Sequence, residues 1–148
     1  MANPWEEIKL DDYEKHMSLD SVKQLQAMNS IMKEQFESYP VSSAMVLGVA
    51  GGNGLEHVRK EKYQKVYGVD INKEYLKAVA ERYRNLEGSL VCQQVDLTSG
   101  YEKLSKCQLV IANLLIEYIG YETFKKVVRH VEAFFKSALN RRVHAIVC

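Results

Sequence analysis

Hydrophobic positions along this chain follow two rhythms. Short runs that are apolar at nearly every place recur between longer stretches in which apolar residues return every third or fourth place. The first pattern reads as strands buried on both faces, the second as amphipathic helices. The strand-like runs are residues 44–49, 66–69, 90–95, 109–112 and 142–147. Ahead of the first run, Val22, Leu25, Ile31, Met32 and Phe36 share one helical face. Ser18 is placed to cap that helix and Tyr39-Pro40 to stop it. Asn72 is placed to cap a helix whose inner face is Leu76, Val79, Ala80 and Tyr83, and Gly88 ends it. After Gly120, Phe124, Val127, Val128, Val131, Phe134, Phe135 and Ala138 make the longest apolar stripe. Residues 52–62 read as a turn leading into a short helix, and a polar link through Gly100 joins the third and fourth strands.

Strands separated by helices predict an α/β fold, a doubly wound parallel sheet with helices on both faces. A chain reversal beside the first strand predicts the strand order 3-2-1-4-5, with an extra N-terminal helix. The ligand crevice then lies outside the carboxyl ends of strands 1, 2 and 4. The expected organisation is one domain over residues 1–148, with a lid or helix at 1–40 and a cofactor-binding core at 41–148.

Two segments carry candidate chemistry. VLGVAGGNG, Val46 to Gly54, ends an apolar run in a glycine-rich turn, and VYGVDIN, Val66 to Asn72, ends a second run in the carboxylate Asp70. Glycines let main chain approach a ligand, and an acid at the end of the next strand binds ribose hydroxyls.

With QVDL (Gln94 to Leu97) and LVIANLLIEYIG (Leu109 to Gly120), these segments make the chain resemble class I S-adenosylmethionine-dependent methyltransferases from the first strand onward. The resemblance implies a Rossmann-like fold and S-adenosylmethionine as cofactor. It implies a cofactor site at Gly48, Ala50, Gly51, Gly52, Asn53 and Gly54 in the turn, Asp70 and Ile71 at the ribose, Asp96 and Leu97 at the adenine, and Asn113 facing the methyl group. Two departures stand out. Gly48 occupies the place where the family has an acid, and Ala50 the place of the first turn glycine. Holding the cofactor's ammonium then falls to a backbone carbonyl, to water, or to Glu56 or Glu117. The family sheet also continues past its fifth strand, whereas Cys148 closes this sequence. The expectation is a shortened version, poorly active at this length, or a fifth-strand edge covered in a homodimer.

Methyl transfer from a sulfonium depends mainly on alignment, so no catalytic base is assigned. Trp5, Tyr13, His16 and Met17 are candidates for a lid. The Asn-Pro-Pro-aromatic signature of many amino-methylating enzymes is absent, because the chain reads Asn113-Leu114-Leu115-Ile116. A net charge of +1 gives no field favouring nucleic acid or a membrane surface, so the expected acceptor is a small molecule. Arg59, Lys60, Lys62 and Lys65 read as a solvated helix end. Cys92, Cys107 and Cys148 lie far apart without metal-ligand spacing, so no metal is expected and a reducing cytoplasm fits. Two other readings compete. One is a non-catalytic module that binds S-adenosylmethionine or S-adenosylhomocysteine. The other is a nicotinamide-dependent oxidoreductase, which the residue His57 disfavours by replacing the last glycine of G-x-G-x-x-G.

Overall fold

The computed structural model describes residues 3–19, 23–139 and 144–147, with side chains described through residue 131 and again for 144–146. In chain order the elements are helices α1 (Pro4–Glu7), α2 (Leu10–Ser18) and α3 (Gln24–Glu37), strand β1 (Ser43–Leu47), β2 (Lys65–Asp70), helix α4 (Lys73–Arg82), β3 (Leu90–Gln94), β4 (Leu109–Ala112), helices α5 (Ile116–Ile119) and α6 (Tyr121–Leu139), and β5 (His144–Val147). All four strand pairings are parallel and the order is β3-β2-β1-β4-β5. The sequence expectation of a 3-2-1-4-5 sheet therefore holds.

Successive residues of a strand face opposite sides, and the core divides accordingly. Ala44 and Val46 of β1, Val66 of β2, and Leu109 and Ile111 of β4 pack under Met32 and Phe36 of α3 and Leu76 and Val79 of α4. Met45 and Leu47, Val69, and Val110 and Ala112 pack on the other side, under Phe124, Val127 and Val131 of α6. Strands buried on both faces explain the near-continuous apolar runs. Of the stripe on α6, Phe134, Phe135 and Ala138 lie outside the described side chains.

Several local expectations need correction. Ser18 ends α2 and its hydroxyl donates to the Lys15 carbonyl, so it caps nothing downstream. The next helix starts at Gln24 behind Lys23, whose φ is 48°, and Val22 falls outside the described residues. Ala80 is exposed, and the buried face of α4 is Tyr75, Leu76 and Val79. Asn72 does cap that helix, accepting from the amides of Glu74 and Tyr75 at 3.0 and 3.2 Å.

The short helix expected between β1 and β2 is only a three-residue 3-10 turn, Leu55–His57. Gly52 and Gly54 sit at φ +85° and +97°, which forbids helix there. Met32 fills the gap from α3: a Cβ on Gly54 would lie 2.6 Å from its sulfur. The basic stretch after this turn is accordingly no helix end. Lys62 and Lys65 donate to the carbonyls of Phe36 and Gly88, tying down loop ends.

Candidate functional site

The turn after β1 and the end of β2 are built as one piece. The amides of Gly48 and Val49 donate to the Val69 carbonyl at 2.8 and 2.9 Å. The Ala50 amide donates to Oδ2 of Asp70 at 2.9 Å, and the Asn72 amide to Oδ1 at 3.0 Å. Asp70 thus joins the glycine turn to the start of α4. Burial pushes its carboxyl above the usual range, against the opposing pull of the Asn72, Ala50 and Ile71 amides. The cost of desolvating this carboxylate is only partly offset by the chain itself, leaving it a strong acceptor for further donors.

Backbone strain concentrates beside it. Ala50 has φ 50° and Leu114 has φ 54°, conformations that side chains other than glycine rarely adopt. One follows β1 and the other follows β4, so both lie at the carboxyl edge of the sheet. Ala50 stands where the sequence resemblance led us to expect glycine, and the backbone keeps the glycine conformation there. Gly48 is exposed, with φ +69° and the Leu115 side chain as its nearest neighbour. The remaining turn glycines are buried against the chain's own side chains. A Cβ on Gly52 would lie 2.6 Å from the Tyr83 ring, and one on Gly51 would lie 2.6 Å from both Arg82 Nη1 and Glu14 Oε2.

The other candidate residues are engaged elsewhere. Asn53 donates to the Leu25 carbonyl at 2.7 Å, binding the turn to α3. Glu56 accepts from the Gly54 amide at 2.9 Å, from the Tyr83 hydroxyl at 3.2 Å and from the Asn29 side chain. His57 faces Asn29 Oδ1 across 2.7 Å. The Ile71 carbonyl accepts from Gln94 at 3.2 Å, which links the ends of β2 and β3. Asp96 accepts from the hydroxyl and amide of Thr98 at 2.6 and 2.9 Å, and the hydroxyl bond holds its carboxyl below the usual range. Leu97 is buried in the core layer under α6. Asn113 exchanges two hydrogen bonds, of 2.8 and 2.9 Å, with the buried Gln35 of α3. Glu117 is exposed on α5.

The N-terminal helices form a strap across this edge. Asn72 donates to the Trp5 carbonyl at 2.9 Å, and the Tyr75 hydroxyl to the Ile8 carbonyl at 2.6 Å. The Trp5 ring meets Tyr118 edge-on at 4.9 Å and Tyr13 at 6.2 Å. Glu14 grips Arg82 through two bonds of 2.8 Å, while Arg82 also donates to the Gly51 carbonyl at 3.1 Å. The strap therefore reaches from α4 across to α5, and neither of its helices has a buried residue. Burial, then the charge of Asp70, pushes the Tyr13 phenol upward.

No family model and no curated protein matches this sequence. Solved structures do. An S-adenosylmethionine-dependent methyltransferase from Clostridium acetobutylicum ATCC 824 aligns over 83% of this chain and 51% of its own length, at TM-score 0.55 and 19% identity. The N-methyltransferase NodS from Bradyrhizobium japonicum WM9 aligns over 78% of this chain and 64% of its own, at 0.57 and 12%. The chain has the fold of class I S-adenosylmethionine-dependent methyltransferases. The [4+2]-cyclase SpnF also matches, over 74% of this chain and 40% of its own length, at 0.55 and 13%. These structural alignments establish the methyltransferase fold, and identities of 12% to 19% leave the reaction to be argued from the site. This chain spans 40% to 64% of the length of those three proteins.

Within the methyltransferase fold, sequence reasoning missed Glu14, Gln35, Tyr75 and Arg82. Each lies on a helical face, where a polar residue reads as solvent-facing. One signal was available: Gln35 sits beside Phe36 and three places after Met32, on the apolar face of α3.

Proposed function

We propose that this chain binds S-adenosylmethionine across the carboxyl ends of β1 and β2 and serves methyl transfer to a small-molecule acceptor. The observation that carries the reading is Asp70: a half-buried carboxylate at the end of β2, fastened to the glycine turn through the Ala50 amide, its pKa raised by desolvation. Two ribose hydroxyls would offset its desolvation where three amides do so incompletely. Gly48 leaves an open approach to the main chain beside it. The fit is to the half of the site built by β1 and β2. There Asp70 would hold the ribose and the turn from Gly48 to Gly51 the amino-acid end.

When bound, the cofactor supplies an electrophilic methyl on a positively charged sulfur. The chain's contribution is then to orient it and to exclude water, which the strap carrying Trp5 and Tyr13 is placed to do. The engagement of Asn113 by Gln35 favours a second reading, a module that binds the cofactor without transferring its methyl group. Equilibrium titrations with S-adenosylhomocysteine and with NAD test the cofactor class. Saturable binding of the first and none of the second is expected, and the reverse would reject the proposal. Methyl release from labelled S-adenosylmethionine over a broad acceptor panel then separates the two readings.

A further inference from the structure

Gly51 is not held as glycine by a left-handed φ. Gly48, Gly52 and Gly54 have φ between +69° and +97°, whereas Gly51 lies outside that left-handed region. What a side chain at Gly51 would meet is a carboxylate and a guanidinium laid against its backbone, each 2.6 Å from where a Cβ would stand. That pair is the two-pronged Arg82–Glu14 contact, and Arg82 is fixed to the same spot by its bond to the Gly51 carbonyl. Paired parallel hydrogen bonds of this kind give geometric selectivity for a carboxylate. The position is one residue along the turn from Ala50, whose amide holds Asp70.

We propose that Arg82 is the binding residue for the α-carboxylate at the amino-acid end of the cofactor, and that Glu14 occupies this position in the closed strap until the ligand displaces it. The inference rests on the cofactor reading above and assigns that site a residue and a regulatory contact. Exchange is chemically even: one carboxylate leaves the guanidinium as another arrives, so Arg82 never lacks a partner. Displacement asks only the part-exposed Glu14 side chain to swing away, while α2 keeps its place. The Glu14–Arg82 pair then lowers apparent affinity by the fraction of chains in which it is formed, and weakening Glu14 restores it.

Calorimetric titration with two probes tests this. S-Adenosylhomocysteine carries the carboxylate, while methylthioadenosine keeps the nucleoside and lacks the amino acid. Arg82→Gln is expected to weaken S-adenosylhomocysteine binding by about tenfold or more, the scale of a lost charged hydrogen bond, with methylthioadenosine held within about twofold. Glu14→Gln is expected to tighten S-adenosylhomocysteine binding by about threefold or more and to leave methylthioadenosine unchanged. An Arg82→Gln chain that binds S-adenosylhomocysteine as the parent does, or that weakens both probes equally, overturns the assignment. Unchanged S-adenosylhomocysteine affinity in Glu14→Gln overturns the displacement. If the parent chain binds neither probe, the cofactor reading itself fails and takes this one with it.

Discussion

Gly51 and Gly52 are adjacent, yet they are glycine for different reasons, and alanine at each separates them. At Gly52 a methyl group would meet the Tyr83 ring at 2.6 Å and Leu55 at 3.2 Å, on a backbone at φ +85°. Left-handed backbone costs alanine about 1–2 kcal/mol, and forcing a methyl into packed surroundings costs about 1–3 kcal/mol. The total is about 2–5 kcal/mol, or a Tm lowered by about 4–20 °C for a chain of this size. At Gly51 the colliding atoms are the ends of two flexible side chains, of which Arg82 is 41% exposed and Glu14 25%. Losing such a part-exposed pair costs about 0–1 kcal/mol. The reduced freedom of the unfolded chain returns about 0.4–1 kcal/mol. Gly51→Ala should therefore stay within about 1 kcal/mol of the parent. Urea unfolding followed by circular dichroism measures both. Equal losses at the two positions, or a larger loss at Gly51, would refute the division of roles on which the Arg82 subsite depends.

Other consequences can be checked independently. Gln35→Leu strands the Asn113 amide and should cost about 1–3 kcal/mol of stability, much of it regained in the Gln35→Leu, Asn113→Leu double variant; additive losses in a double-mutant cycle would contradict the pairing. Burial raises the Tyr63 and Tyr75 phenols from 10.0 to about 12, so the folded chain retains protons that the unfolded chain gives up. Their stabilisation is complete below pH 10 and should decline as pH climbs from 10.0 toward about 12, which alkaline unfolding with tyrosinate absorbance measures; flat stability across that window would count against it. Cys107 is fully buried, its thiol pushed up to about 12. It should resist alkylation in the native chain at pH 8 and react once unfolded, as mass spectrometry of labelled peptides can show.

The sheet was legible because its signal is redundant. Each strand is a continuous apolar run, and register then follows from burial on both faces, as Ala44 opposite Leu109 and Val66 illustrates. The extent of the crossovers was less legible. The short helix expected after the turn within residues 52–62 is only the 3-10 turn Leu55–His57, and α3 supplies cover there through Met32. The candidate site's layout was readable where the ends of neighbouring strands decide it, as the Ala50 amide bonded to Asp70 shows. It was unreadable where long-range pairing decides, since nothing local links Gln35 to Asn113 or Glu14 to Arg82. For Asp96 the local signal competed with the resemblance: Asp-Leu-Thr is also a self-bonding turn, and the Thr98 bonds occupy one of its oxygens.

Whether Asp70 holds a ribose decides the cofactor's placement most directly. Titration calorimetry with S-adenosylhomocysteine should give saturable one-to-one binding to the parent chain. Asp70→Ala, with its fold checked by circular dichroism, should weaken that binding by about 1.5–3 kcal/mol, the scale of lost hydrogen bonds to a charged group. Affinity that survives the substitution unchanged would contradict the placement of the cofactor.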